Sequence, residues 1–328
     1  MACSGGLSVS GCRVGVIYGE EMLLYSFPQP HPFRRDRIER FYEKLPELEE
    51  EFPGQIVRVK PRMATIEEVL SYHEREYVDF VKKMSMDGYG YLDYGDTPAF
   101  KGCFEASLYV VGSTLKLVDL VMRGEIDHGF NPMGGLHHAR RGRAAGFCIF
   151  NDASIAIKYL LDEVGLKEVL YVDIDAHHGD GVFYDFYYDK RLKHVDFHQD
   201  GRTLYPGTGF AHERGGGEAA GTKLNIPLMP GAGVEEFMEN WEKLVERFLK
   251  DVNPEFILLQ AGADGLIGDP LTGLEYTEEV HYFVARRLHK LAEETCEGRI
   301  VAMGGGGYNR DNIVKAWSAV VRALATPP

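Results

Sequence analysis

No long apolar run occurs anywhere in the 328-residue chain, so no segment is expected to cross a bilayer. Cysteine is scarce and unpaired in pattern. Cys3, Cys12, Cys103, Cys148 and Cys296 make an odd five with no C-x-x-C spacing. That argues against a disulfide framework and against a thiolate zinc site. Basic charge is in deficit too: 36 Lys and Arg face 50 Asp and Glu, a formal −14. Such a balance speaks against direct nucleic-acid binding; it suits a cationic substrate such as a lysine-rich peptide or a polyamine, and equally serves ordinary solubility. The opening MACSGGLSVSGC lacks a basic n-region and an apolar core, so no signal peptide is expected and the cytoplasm is the default location. Linker-like stretches and repeats are missing. The expectation is therefore one domain over residues 13–328 behind a flexible tail of residues 1–12. Phosphate loops are missing as well. The tetraglycine at 304–307 fails G-x-G-x-x-G because Asn309 or Arg310 stands where the last glycine is needed.

What the chain does have centres on Tyr171 to Gly181, YVDIDAHHGDG. The run before it is almost wholly apolar, as in a parallel strand covered on both faces. Asp173 and Asp175 then fall on one side of the strand end, and Asp175 and His177 do likewise just beyond. Carboxylates and imidazoles crowded there are costly to bury unless a cation or hydrogen bonds satisfy them. A solvated turn is the simpler alternative, but turns rarely spend two adjacent histidines. Further strands are expected over 13–18, 55–59, 193–197, 223–228, 255–260 and 299–303. Helices are expected over 65–84, 100–122, 151–163, 234–251, 277–297 and 311–325, the first opened by the capping pattern Thr65-Ile-Glu-Glu. Helix–strand alternation of this kind indicates an α/β domain with a mostly parallel sheet.

Several strands thus deliver polar chemistry at one end: Asp175 and His177, Asp196 and His198, Asp264, and Tyr308 after the tetraglycine. Open parallel sheets bind ligands beyond their strand carboxyl ends, so these groups are expected to converge. Asp175, His177 and Asp264 offer the three ligands of a catalytic zinc, leaving one position open. His137 and His138, in a glycine-bounded loop, suit proton transfer, and Asp173 and Asp180 are acids free to orient them. Tyr308, carried by a flexible glycine run, could donate to a developing oxyanion.

The stretches GGLHHARRGRAAGFCIFND, YVDIDAHHGDGV, FHQDGRTLYPGTG, LLQAGADGLIGDP and GGGGYN, in this order, resemble the zinc-dependent histone deacetylase family, including its prokaryotic acetoin-utilisation branch. The likeness runs from about His31 to the C-terminus. It implies an arginase-like α/β fold with helices on both faces of the sheet. It implies Zn2+ on Asp175, His177 and Asp264, with Fe2+ or Co2+ as substitutes, and Asp173 and Asp180 as the respective partners of His137 and His138. Tyr308 becomes the oxyanion tyrosine. Phe147 and Tyr205 would flank a tunnel for an acyl-lysine stem, with Gly146 and Gly306 beside it; the family's usual second phenylalanine is Tyr205 here. Asp96 resembles the rim aspartate that grips substrate backbone, and Arg37 the arginine of an internal acetate channel. A structural K+ is implied near Asp173, Asp175, His177, Asp196 and Phe197, although Asp196 replaces the usual serine.

A two-manganese ureohydrolase is the nearest rival within such a fold. Its second-metal carboxylates are replaced here by Gly179 and Leu266. A non-catalytic acyl-lysine binding module would be expected to have lost a ligand, a tandem histidine or the tyrosine, and all are present. Acyl-lysine protein or peptide is the expected substrate, with acetylpolyamine as the alternative.

Overall fold

The computed structural model describes residues 11–328. Eight strands form one sheet: β1 (Val14–Ile17), β2 (Ile56–Val59), β3 (His128–Asn131), β4 (Val169–Asp173), β5 (Leu192–Gln199), β6 (Lys223–Leu228), β7 (Phe256–Gln260) and β8 (Ile300–Met303). They lie in the order β2-β1-β3-β8-β7-β4-β5-β6, and every pairing is parallel. The expected α/β domain is therefore present, with a sheet that is wholly rather than mostly parallel. Strands β1, β3, β4, β7 and β8 are buried at every position, which requires cover on both faces. Strand β3 shows how the cover divides. Gly129 meets Leu117 of the helix Cys103–Met122. The next residue, Phe130, packs against Phe41 and Trp317 of the helices Asp36–Glu51 and Arg310–Ala325. Successive strand residues point to opposite faces, so the two helix layers sandwich the sheet.

Strands β4 and β7 are neighbours whose onward connections diverge. The chain leaves β4 for β5 on one side and leaves β7 for β8 on the other. Loops that part in this way open a crevice at the strand carboxyl ends, the usual ligand position in open parallel sheets.

Three departures from the sequence reading have physical causes. Residues 65–84 do not form one helix: Ile66–Leu70 and Arg75–Asp87 are separate. Between them the Glu74 amide donates to Arg141 O at 2.9 Å, and buried His73 Nε2 accepts from the Asn151 amide at 2.9 Å. These tertiary bonds replace the intrahelical ladder, while the capping box at Thr65 forms as expected. Strand β3 was not expected at all, because HGFN is short and three of its four residues are glycine or polar. Finally, β5 runs on to Gln199, so His198 as well as Asp196 lies within the strand and not beyond its end. Of the tail expected over 1–12, residues 1–10 lie outside the described residues; Cys12 is buried, and its amide donates to Ala325 O.

Candidate active site

Four strands feed the crevice. Asp175 and His177 follow β4, Asp264 follows β7, Tyr308 follows β8, and the tandem histidines follow β3. His177 Nδ1 stands 3.1 Å from Asp175 Oδ1 and 3.0 Å from Asp264 Oδ2. Each carboxylate is held from behind. Asp175 Oδ2 accepts from Gln260 Nε2 at 2.9 Å and from the Gly306 amide at 2.8 Å; Asp264 Oδ1 accepts from the Ala176 amide at 2.8 Å. The remaining oxygens meet at the imidazole, and the ligand atoms of the three residues all lie within 4.8 Å of one another. Burial and the neighbouring Asp175 raise the Asp264 carboxyl to about 7. Two buried carboxylates aimed at one point call for positive charge. With oxygen and nitrogen donors at these spacings, the three residues fit a borderline divalent ion such as zinc.

Asp173 and Asp180 each brace one of the tandem histidines. His137 Nδ1 lies 2.8 Å from Asp173 Oδ2, and His138 Nδ1 lies 2.7 Å from Asp180 Oδ1. The two Nε2 atoms face each other at 3.2 Å. Burial opposes charge on both rings and the carboxylates decide the contest. Asp173 and Asp175 overcome burial at His137 and lift it to about 10. At His138 burial, aided by charged His137, prevails and lowers it to about 4. The pair is thus poised with one ring charged and one neutral. The loop carrying them is fixed by buried Asp152, which accepts from the Gly135 and Leu136 amides, and by the helix-capping Asn151, whose Nδ2 donates to His137 O and Ala139 O.

Tyr308 is buried, its ring edge-on to Phe147 at 5.9 Å and to Phe33 at 6.5 Å. The glycines before it are not flexible, contrary to expectation. Arg37, fully buried, donates from Nε to Gly307 O at 2.6 Å and from Nη2 to Gly305 O at 2.7 Å. Asp269, unnoticed in the sequence, accepts from the Tyr308 amide at 2.7 Å. A β-carbon on Gly306 would stand 2.2 Å from Asp264 Oδ2, so no other residue fits there. Gly146 is equally constrained: it has φ +54° and would meet His138 Cδ2 at 2.4 Å.

Phe147 adopts φ 70°, rare for a bulky residue, and is held by Thr97 Oγ1 accepting from its amide at 3.0 Å and Tyr25 donating to its carbonyl at 2.8 Å. Tyr205 stacks edge-on to His138 at 5.1 Å. Outside it lies a cavity of about 550 Å³ lined by Asp93, Asp96, Arg140, Arg143, Tyr184 and Tyr205. Asp93 Oδ1 accepts three amides, from Gly95, Asp96 and Thr97. Burial and this neighbour raise Asp96 to about 7.

Residues 31–324 match the model of the histone deacetylase domain. The chain belongs to the histone deacetylase family. Its similarity extends to the acetoin utilization protein AcuC of Bacillus subtilis (strain 168), 39% identical over 93% of this chain and 80% of that protein. The AcuC of Staphylococcus aureus (strain MSSA476) is 36% identical over 96% of this chain and 82% of its own length. Among solved structures, the HDA15 HD domain superposes with a TM-score of 0.87 at 31% identity, covering 95% of this chain and 89% of that one. This chain is thus a deacetylase of that family, a hydrolase whose family trait is zinc dependence. The ureohydrolase alternative also loses its footing in the geometry, because Leu266 is buried in the core and offers no second carboxylate. Among the described residues no helix is long and apolar enough to cross a membrane.

Proposed function

We propose that residues 13–328 form a zinc-dependent deacylase acting on the side-chain amide of acyl-lysine in proteins or peptides. The observation that carries this reading is the pair of carboxylate-braced imidazoles facing a three-ligand point, with a buried tyrosine on the strand-end loop beside it. Asp175, His177 and Asp264 would hold a zinc ion, or Fe2+ or Co2+ in its place, which would supply a water of lowered pKa and polarise the acyl carbonyl. The chain's own residues do the rest. Neutral His138 accepts the proton of the attacking water, and Asp180 stabilises the charge that results. His137, kept charged by Asp173, holds a proton at Nε2 for the departing lysine amine. Tyr308 donates its O–H to the oxygen that gains charge as the amide carbon turns tetrahedral. Phe147 and Tyr205 close on the apolar stem between them, Gly146 and Gly306 leave room for it, and Asp96 receives the substrate backbone at the mouth.

Arg37 acts in this reading by fixing the Gly305 and Gly307 carbonyls, and it lies where an acetate channel would run. A K+ ion near Asp173, Asp175, His177, Asp196 and Phe197 has only the family resemblance behind it. Asp196 is already balanced by His198 and the Gly179 amide.

An acetylpolyamine is the second reading, favoured by the −14 balance and by Asp93 and Asp96 at the mouth. Cytoplasmic action without nucleic acid or membrane suits either substrate. The deciding experiment compares kcat/KM for acetyl-lysine peptides, longer acyl-lysine peptides and acetylpolyamines, with metal content measured on the same sample. A polyamine preference of tenfold or more, about 1.4 kcal/mol, would overturn the acyl-lysine assignment.

A further inference from the structure

At the amino end of the sheet, opposite the active site, four potential metal ligands meet. Cys12 precedes β1, His128 opens β3, and His289 and Glu293 sit one turn apart on one face of the helix Glu278–Thr295. The ligand atoms of all four lie within 4.8 Å of one another. Cys12, His128 and His289 are buried, while the Glu293 side chain is 31% exposed and gives solvent a way in.

His289 Nε2 is the hub. It lies 3.1 Å from His128 Nε2, 3.6 Å from Glu293 Oε1 and 3.8 Å from Cys12 Sγ. His289 Nδ1 points at the Ala323 carbonyl, 3.4 Å away, which as an acceptor places the ring proton on Nδ1 and leaves Nε2 a bare lone pair. One lone pair accepts one hydrogen bond, yet a nitrogen, a sulfur and a carboxylate oxygen surround it, and the carboxylate has no proton to give. At 3.6 Å the glutamate contact is too long for a hydrogen bond. The same spacings suit the edges of a coordination tetrahedron. Zinc bond lengths put two nitrogen ligands about 3.3 Å apart and a nitrogen and a sulfur about 3.6 Å apart.

We infer that Cys12, His128, His289 and Glu293 form a second, structural site for a thiophilic divalent cation of the zinc class. Two imidazoles, a thiolate and a carboxylate make a closed four-ligand set with no position left for substrate, as structural sites have. The ion would tie the segment before β1 and the start of β3 to the helix Glu278–Thr295. Cysteine spacing could not reveal it, because each ligand but the helical pair comes from a different part of the chain.

Cobalt tests this without relying on activity. The full-length chain is stripped of metal and titrated with Co2+. About two equivalents should bind, and one should give the near-ultraviolet charge-transfer band of a cobalt–thiolate bond. Asp175, His177 and Asp264 contain no sulfur and cannot give it, so Asp264→Ala should keep the band while losing the other equivalent. Cys12→Ser should lose the band and one equivalent and retain deacetylase turnover. Glu293→Gln, at a partly exposed position that the fold tolerates, should weaken the band-forming equivalent by about tenfold or more. Cobalt binding to the unmodified chain without the band, or a band that survives Cys12→Ser, overturns the site.

Discussion

Two neighbouring strands each space acids and imidazoles two residues apart and put them to opposite uses. Strand β4 and its extension read Asp173-x-Asp175-x-His177; β5 reads His194-x-Asp196-x-His198, and the register sets Asp173 beside Asp196. On β5 the charges close on themselves. Asp196 Oδ1 lies 2.6 Å from His198 Nδ1, and its Oδ2 accepts the Gly179 amide at 3.0 Å and lies 3.4 Å from His194 Nε2. His198 Nε2 in turn points at Gly209 O, 2.7 Å away, so both its nitrogens face acceptors. Burial works against the Asp196 charge, but His198 and His178 overcome it and hold the carboxyl well below the usual range. On β4 the balance is left open. Asp175 Oδ2 and Asp264 Oδ1 are spent on protein donors, while Asp264 Oδ2 and Asp175 Oδ1, the latter also taking the His177 amide at 3.0 Å, are aimed at a shared point. What separates a reactive cluster from a structural one is therefore which lone pairs the protein leaves for something else.

Removing Asp264 should break the β4 side most completely. Asp264→Ala is expected to lower the zinc content by one equivalent relative to the unaltered chain and to abolish deacetylation with it; a zinc content unchanged by elemental analysis would mean that the ligand set is wrong. Asp196→Asn should act on the β5 side in the opposite manner. Leaving His198 without its counter-charge should cost about 3–5 kcal/mol of stability, read by urea unfolding, while zinc at the strand-end site is retained. Loss of that zinc would show that the two clusters are one functional unit. Tyr308→Phe comes next, touching neither cluster's charge. Turnover should fall about a hundredfold or more with zinc content unchanged. A change confined to KM would remove the tyrosine from the role proposed above.

This contrast was only partly legible in the sequence. The apolar runs before Asp175 and Asp264 announced buried parallel strands, and the polar residues at their ends announced the crevice, because side-chain period and strand direction are local properties. Strand β3 was invisible for the same reason: four residues, one glycine and two of them polar, carry no β signal, yet β3 sets the tandem histidines in place. Gln260 and Asp269 were missed as well. Each acts on an atom far away in sequence, Gln260 on Asp175 Oδ2 and Asp269 on the Tyr308 amide. Gln260 did leave a trace, since a buried amide ending the run FILLQ must find partners. Tetraglycine suggested mobility to the sequence reader, but Arg37 clamps two of its carbonyls. That Asp196 is satisfied and Asp175 is not depends on where His198 and Gly209 meet in space, which spacing alone does not encode.

The smallest effect is expected at the mouth, where a third acidic pair stands between the two extremes. Asp93 takes three backbone amides and keeps its charge below the usual carboxylate range, although half-burial works against it. Burial and this charged neighbour raise Asp96 to about 7. A raised carboxyl is neutral below that value and charged above it, so its grip on a cationic substrate should strengthen as pH rises through about 7. KM for a lysine-rich acetylated peptide is therefore expected to fall a few-fold, on the order of 1 kcal/mol or less, between pH 6 and 8 at low salt. Asp96→Asn should flatten that limb while leaving kcat and its own pH profile in place. If the limb persists in the variant, the titrating group belongs to the strand-end cluster, and Asp96 serves the site by shape alone.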